Sequence, residues 1–245
     1  MPKLGAFAAG FLIAAVANTH AADINVFSAY GARSMVNTLV PEFERKTNNR
    51  IITKFEEPGV LRKAILADEA FDLVILPAGW DEVRAKIVDN PVSIARTQVG
   101  ILARAEAPKP DTSSADAVKR TLLKAKSIVY TDPKTGAVNG VVFVRMIEGL
   151  GIAEEVNKKS KIVQGPPVAL VANGEAELAV ALGIGIGEAP GLQFAPMPSE
   201  FGATVIFSGA IAVGAKDPAA TNALLQFLTS PAVAPAIRSK GYEPG

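Results

Sequence analysis

The chain has 245 residues, about half of them hydrophobic, with 25 Lys and Arg against 24 Asp and Glu. It can bury a large core, and its balanced charge gives no general attraction to nucleic acid or an anionic membrane. It has no Cys, and its one His is His20, so past that residue there can be no disulfide, thiolate site, imidazole-bound zinc, or Ser-His or Cys-His catalytic pair.

In chain order, the first segment reads as an export leader over residues 1–21. Met1-Pro2-Lys3 supplies a positive start, Leu4 to Ala17 an apolar run too short to span a bilayer, and Thr19-His20-Ala21 a small-residue cleavage site. No Cys follows for lipid attachment, so the mature protein is expected to be soluble and outside the cytoplasm. Ile24-Asn25-Val26-Phe27 then reads as a strand ending in a tight turn at Ser28-Ala29-Tyr30-Gly31-Ala32. Val36, Leu39, Val40 and Phe43 follow at helical spacing, and that helix should stop near Thr47-Asn48-Asn49. Arg50 to Phe55 is a second strand, Glu56-Glu57-Pro58-Gly59 a turn, and Leu61, Ala64 and Ile65 mark the next helix. Phe71 to Leu76 is nearly all apolar, as suits a parallel strand covered on both faces.

A second passage of strands and helices begins near Gln98. Val99 to Ala103 reads as a strand, Ala115 to Ala125 as a helix, Ser127 to Tyr130 as a strand and Val142 to Leu150 as a helix. Asn173-Gly174-Glu175-Ala176-Glu177 is a turn before apolar Leu178 to Leu182. Val205 to Phe207 and Gly209 to Val213 supply strand material. Asp217-Pro218 caps a helix carrying Leu224, Leu225 and Leu228, and a last short helix follows Ser230-Pro231. The alternation predicts an α/β fold. Gly183-Ile184-Gly185-Ile186-Gly187 lacks the spacing and the acidic partner of a dinucleotide fingerprint, and reads as a close-packed strand end or loop.

Several fragments, taken in order, resemble the periplasmic solute-binding proteins of the molybdate-binding type, class II receptors that feed ABC importers. They include Val26-Phe27-Ser28-Ala29, Glu42-Phe43-Glu44-Arg45-Lys46-Thr47, Phe71-Asp72-Leu73-Val74-Ile75, Asp132-Pro133-Lys134-Thr135-Gly136, and Lys216-Asp217-Pro218 with Leu225-Gln226-Phe227-Leu228-Thr229-Ser230-Pro231. The resemblance spans the chain beyond the leader. It implies a two-lobed type II periplasmic-binding fold with a two-strand hinge. The first lobe is expected from 22–97 plus 209–245 and the second from 98–208, with crossings near Thr97 to Ala103 and Val205 to Val213. It further implies a monomeric periplasmic receptor, partnered by an ABC permease of the inner membrane, that grips a small anion between its lobes. No metal or other cofactor is expected.

Family members present Ser in the turn after the first strand, a Ser-Ser pair after the second, and a cleft Tyr in the second lobe. The aligned positions here are Gly31, Glu57-Pro58 and about Leu182. A tetrahedral oxyanion loses hydroxyl donors by these changes, and a carboxylate in the cleft repels it. An organic carboxylate is therefore the expected ligand, ahead of molybdate.

The expected binding residues are Tyr30, Gly31, Ala32 and Arg33 in the first turn, Glu57, Pro58 and Gly59 in the second, Trp80 after the third strand, and Asn139, Gly140 and Gln164 in the second lobe. Gln164-Gly165-Pro166-Pro167 forms another lip. Arg33 is the expected counter-charge, the alternative being a solvated surface Arg. Tyr30 and Trp80 could equally pack within their own lobe. Of Glu56 and Glu57, strand alternation allows one to face the cleft. The resemblance carries an enzymatic alternative, since similar proteins include a periplasmic aconitate isomerase. In that reading Glu57 or Glu56 is the base, Tyr30 assists, and Arg33 and Arg62 clamp carboxylates.

Overall fold

A computed structural model of the chain describes residues 21–184 and 189–245. Apart from Ala21, the expected leader lies outside the described residues, as does Gly185 to Gly187 of the glycine-rich run.

Strand β1 (Asp23–Ala29) passes through a single 3-10 turn, Tyr30–Ala32, into helix α1 (Arg33–Thr47). Met35, Val36, Leu39 and Phe43 form the buried stripe of α1, and Asn48 ends it in the left-handed region at φ 57°. Strand β2 (Arg50–Glu56), helix α2 (Pro58–Leu66), strand β3 (Leu73–Leu76) and the single-turn helix α3 (Trp80–Val83) follow. All four residues of β3 are buried. β1 lies between β2 and β3, parallel to both, as short strand–helix–strand crossovers require.

Strand β4 (Val92–Arg104) is much longer than the Val99 to Ala103 expected from its apolar run. Its first half is amphipathic and joins the sheet of β1–β3; its second half is almost wholly buried and belongs to another sheet. The chain continues through α4 (Ala115–Lys124), β5 (Ile128–Thr131), α5 (Val138–Gly149), α6 (Ala153–Asn157), β6 (Ser160–Val163), α7 (Val168–Ala172), β7 (Leu178–Leu182) and β8 (Leu192–Pro196). Ser114 caps α4 by accepting a hydrogen bond from the Ala117 amide. α5 begins at Val138, a turn earlier than its apolar run suggests, which brings Asn139 and Gly140 into its first turn. β6 escaped the sequence reading because its side chains are half-buried or exposed and show no two-residue alternation.

The chain then returns through β9 (Thr204–Ile211), α8 (Pro218–Leu228), α9 (Ala234–Ser239) and β10 (Glu243–Pro244). The Asp217 carboxylate accepts from the Ala220 amide at 2.9 Å, completing the cap that Asp-Pro predicts. β9 pairs with β3 and with the first half of β4; Thr204 to Ser208 therefore lie in the first lobe's sheet, although the expected second lobe, 98–208, includes them.

β4 is where the two sheets divide. On one edge, β9 accompanies Val92 to Gln98 and β8 accompanies Gly100 to Arg104. On the other, β10 accompanies Ala95 and Arg96 and β7 accompanies Val99 to Leu102. Both edges change partner at Gln98–Val99. The second connection between the halves runs from Met197, whose amide bonds to Val99, to Ala203, whose carbonyl accepts from Val99. That places the return crossing earlier than Val205 to Val213.

Candidate functional site

The carboxyl ends of β1, β2 and β3 face those of β5 and β7 across a cleft that encloses about 540 Å3, mouth included. The first lobe contributes Ala29, Tyr30, Gly31, Glu57, Pro58 and Pro77, together with Phe207 from β9. The second contributes Thr131, Ala137, Val138, Asn139, Pro166, Pro167, Leu182 and Ile184. Much of that space is open mouth, and the interior proper is small, about 90 Å3, below the usual size of a preformed small-molecule pocket.

Two helices aim their first turns at this space. Glu57 is the N-cap of α2, its carbonyl accepting from the Val60 and Leu61 amides at 2.9 and 3.1 Å, and Pro58 fits the first helical position because it needs no amide. The Glu57 side chain makes no capping bond and no other hydrogen bond among the described residues. Opposite, α5 starts at Val138. The first amides of α5 have no intrahelical acceptor and carry partial positive charge, so this end offers anion-facing donors. At α2, Pro58 has no amide and those of Val60 and Leu61 are taken by Glu57, which leaves that of Gly59 alone.

The polar groups of the two walls differ in how far they are already satisfied. Asn139 is buried and its side-chain amide donates to the Val180 carbonyl at 2.9 Å and to Thr131 Oγ1 at 3.1 Å. Thr131 donates in turn to the Gly165 carbonyl at 2.9 Å. By contrast, Tyr30 and Glu57 have no hydrogen-bond partner among the described residues for their side chains. Burial pushes the Glu57 carboxyl up to about 6, with the neighbouring Glu56 charge adding to the effect. Glu57 is the single charged side chain among the described lining residues.

The lobes touch beside the cleft. A methyl group at Gly59 would lie 2.6 Å from the Thr135 carbonyl oxygen, and one at Gly31 would lie 2.6 Å from Phe207 Cζ and 2.8 Å from Leu182 Cδ1. These glycines permit close approach across the interlobe space.

The remaining sequence candidates lie elsewhere. Arg33 does not line the cleft: it is exposed, with its guanidinium over the Phe55 ring at 5.3 Å, because the intervening 3-10 turn rotates it away from Tyr30 and Gly31. Ala32 is fully buried in the core of the first lobe. Trp80 packs against the small apolar cluster that includes Phe27 and Leu61, and Pro77 of the same loop reaches the cleft instead. Gln164 is exposed and bonds to Asp132, whereas Pro166 and Pro167 of that lip line the cavity. Gly140 is needed for packing, since a methyl there would sit 2.1 Å from the Thr131 carbonyl oxygen. Glu56 ends β2 outside the lining. Arg62 lies at the seam between the lobes, its Nε 3.1 Å from Glu82. Phe207, Thr131 and Ile184 were not anticipated. Alternation along β9 could have marked Phe207 as inward-facing, but not that its face reaches the cleft.

Among the described residues, no cluster of His, Cys, Asp and Glu has the makings of a metal site, and no helix is long and apolar enough to cross a membrane.

Residues 24–243 match the family described as bacterial extracellular solute-binding protein. An aconitate isomerase of a Pseudomonas species is 28% identical, with 99% of this chain and 97% of that protein covered. The molybdate-binding protein ModA of Azotobacter vinelandii is also 28% identical, with 97% and 95% covered. Among solved structures, the periplasmic molybdate-binding protein of Azotobacter vinelandii superposes with a TM-score of 0.74 over 91% of this chain and 99% of that one, at 13% identity. The two-lobed type II architecture is therefore shared.

Proposed function

The chain belongs to the bacterial extracellular solute-binding proteins, and from that premise we propose that it is a periplasmic receptor of an ABC uptake system, closing its two lobes on a small organic carboxylate. It is exported by its leader, works as a monomer, and delivers its ligand to a permease in the inner membrane. The first turn of α5 supplies amide donors to the ligand's carboxylate, and Tyr30 supplies a hydroxyl. The proline-rich and aromatic remainder of the lining contacts the ligand's carbon body.

One observation carries the choice of ligand class. The positions where molybdate-type receptors place hydroxyls are here Gly31, Glu57-Pro58 and Leu182, and all four of these residues line the cleft. A tetrahedral oxyanion would meet apolar carbon and a carboxylate in place of its donors. Protonated, a form its raised pKa makes accessible near neutrality, Glu57 can donate to either kind of anion, so the preference rests on the missing hydroxyls and on an apolar lining that suits a carbon body.

The test is a thermal-shift screen of the mature chain against molybdate, sulfate, and di- and tricarboxylates. A ligand at 100 times its Kd adds about 2.7 kcal/mol of stability. The expected hit is a carboxylate; molybdate as the strongest stabiliser would sink the assignment.

Glu57 also supports a second reading, that of an isomerase. A carboxylate with a pKa of about 6, facing the cleft beside Tyr30, is suited to moving a proton at pH 7. It would remove a proton from one carbon of an unsaturated carboxylate, the double bond would shift by one position, and the proton would return to the carbon at the far end of the allylic system. Among its described lining residues the cleft offers no cation to balance several carboxylates, which counts against a tricarboxylate under either reading. Incubation with cis-aconitate, followed by ultraviolet absorbance, separates the two. Turnover lost in Glu57→Gln establishes the isomerase.

A further inference from the structure

The C-terminal residues reach the cleft from behind. Tyr242 is 1% exposed, and its hydroxyl donates to the Gly31 carbonyl at 2.6 Å while lying 3.0 Å from Ser34 Oγ. Burial pushes the phenol up to about 12, so it stays a donor across the physiological range. Its ring meets the ring of Phe207 edge-on at 6.1 Å. Gly31 and Phe207 both line the cleft and lie against each other.

The same segment abuts the hinge. β7 runs along one edge of β4 until the Gly183 amide bonds to the Gln98 carbonyl, and β10 takes over that edge at Arg96 and Ala95. Gly241 fills the junction. A methyl there would lie 2.5 Å from the Gly183 carbonyl oxygen and 3.2 Å from Ile184 Cα, and its φ of 82° favours glycine. Thr97 Oγ1 donates to the Gly241 carbonyl at 3.4 Å. Within two residues the chain thus touches the first lobe's ligand turn, the hinge strand, and the end of β7 in the second lobe.

We propose that Tyr242 is a positioning residue of the ligand cleft, its hydroxyl holding the Tyr30–Ala32 turn against Phe207 and Leu182, and that the Gly241–Gly183 abutment makes this hold depend on the hinge. The proposal rests on the cleft being the ligand site, but its test uses no ligand, so its failure leaves the receptor reading untouched.

The experiment is residue-resolved amide exchange by NMR on the mature chain. Tyr242→Phe keeps the ring against Phe207 and removes the hydroxyl. The decisive amide is that of Arg33, which donates to the Tyr30 carbonyl and not to Tyr242. It should exchange about five to ten times faster, the loss expected for one hydrogen bond, while amides of α8 and β5 keep their wild-type rates. Gly241→Ala, which forces the abutment apart, should accelerate the same amide and leave β5 unchanged. An Arg33 rate unchanged in Tyr242→Phe, or acceleration spread evenly over the chain, overturns the positioning role. An unchanged rate in Gly241→Ala overturns the link to the hinge.

Discussion

The two walls of the cleft are built on opposite terms. On the first-lobe wall the polar side chains of Tyr30 and Glu57 face the cavity without a protein partner among the described residues, and the carboxyl tolerates this with a raised pKa. On the second-lobe wall Asn139 and Thr131 spend their hydrogen-bonding capacity on each other and on the carbonyls of Val180 and Gly165. One wall keeps groups in reserve for a ligand; the other fixes the shape against which the ligand is pressed. Buried polar groups need partners. Only groups left open to the cleft can therefore exchange water for ligand, and the satisfied ones act through geometry.

The largest expected effect lies where the walls meet. Gly59→Val should weaken the best ligand of the thermal-shift screen by at least about 100-fold, or roughly 2.7 kcal/mol. The unliganded melting temperature should fall as well, though less, because a side chain at Gly59 meets the Thr135 carbonyl oxygen in the described arrangement and the seam must part to admit it. Calorimetric titration and a melting curve on the same sample check both parts. Undiminished affinity would mean that the seam plays no part in closure.

Next comes the fixed wall. Asn139→Leu removes both side-chain donor bonds and leaves the Val180 carbonyl without that partner in a buried place. A loss of about 2 kcal/mol in urea unfolding is expected. A change below about 0.5 kcal/mol would show that the wall is not held by this network.

The open wall should respond to pH instead. The folded-state pKa of Glu57 lies near 6, above the ordinary value of 4.5. The native state therefore binds the extra proton between these values, so the contribution is fully present below pH 4.5 and lost as pH rises through 6. Because the carboxyl is partly open to solvent, the change is discounted to about 1 kcal/mol. Urea midpoints across this range should fall with rising pH in the parent chain more than in Glu57→Gln. Equal slopes would mean that the group is solvated. The smallest effect belongs to Arg33→Ala, outside both walls. Loss of its stacking on Phe55 should cost less than about 1 kcal/mol and leave ligand affinity unchanged.

Much of the architecture was legible in the linear chain, since the signals concerned are local. The stripe of Val36, Leu39 and Phe43 needs only helical geometry, buried β3 only an apolar run, and the α8 cap only Asp217 beside Pro218. Absences were equally local: without His or Cys past residue 20, no fold could assemble an imidazole or thiolate site. The cleft was legible in part, through turns at the ends of strands, where Tyr30, Gly31, Glu57, Pro58 and Asn139 lie. Tertiary structure alone decided the rest. Arg33 and Gly31 are two residues apart, yet the turn between them sends one to solvent and the other to the cavity. Phe207, Ile184 and Tyr242 are distant from those turns in sequence and reach them only because β9, β7 and the C-terminal segment converge on one long strand. Periodicity reports which face of an element is apolar; which other element that face meets depends on long-range pairing, and no local pattern encodes it.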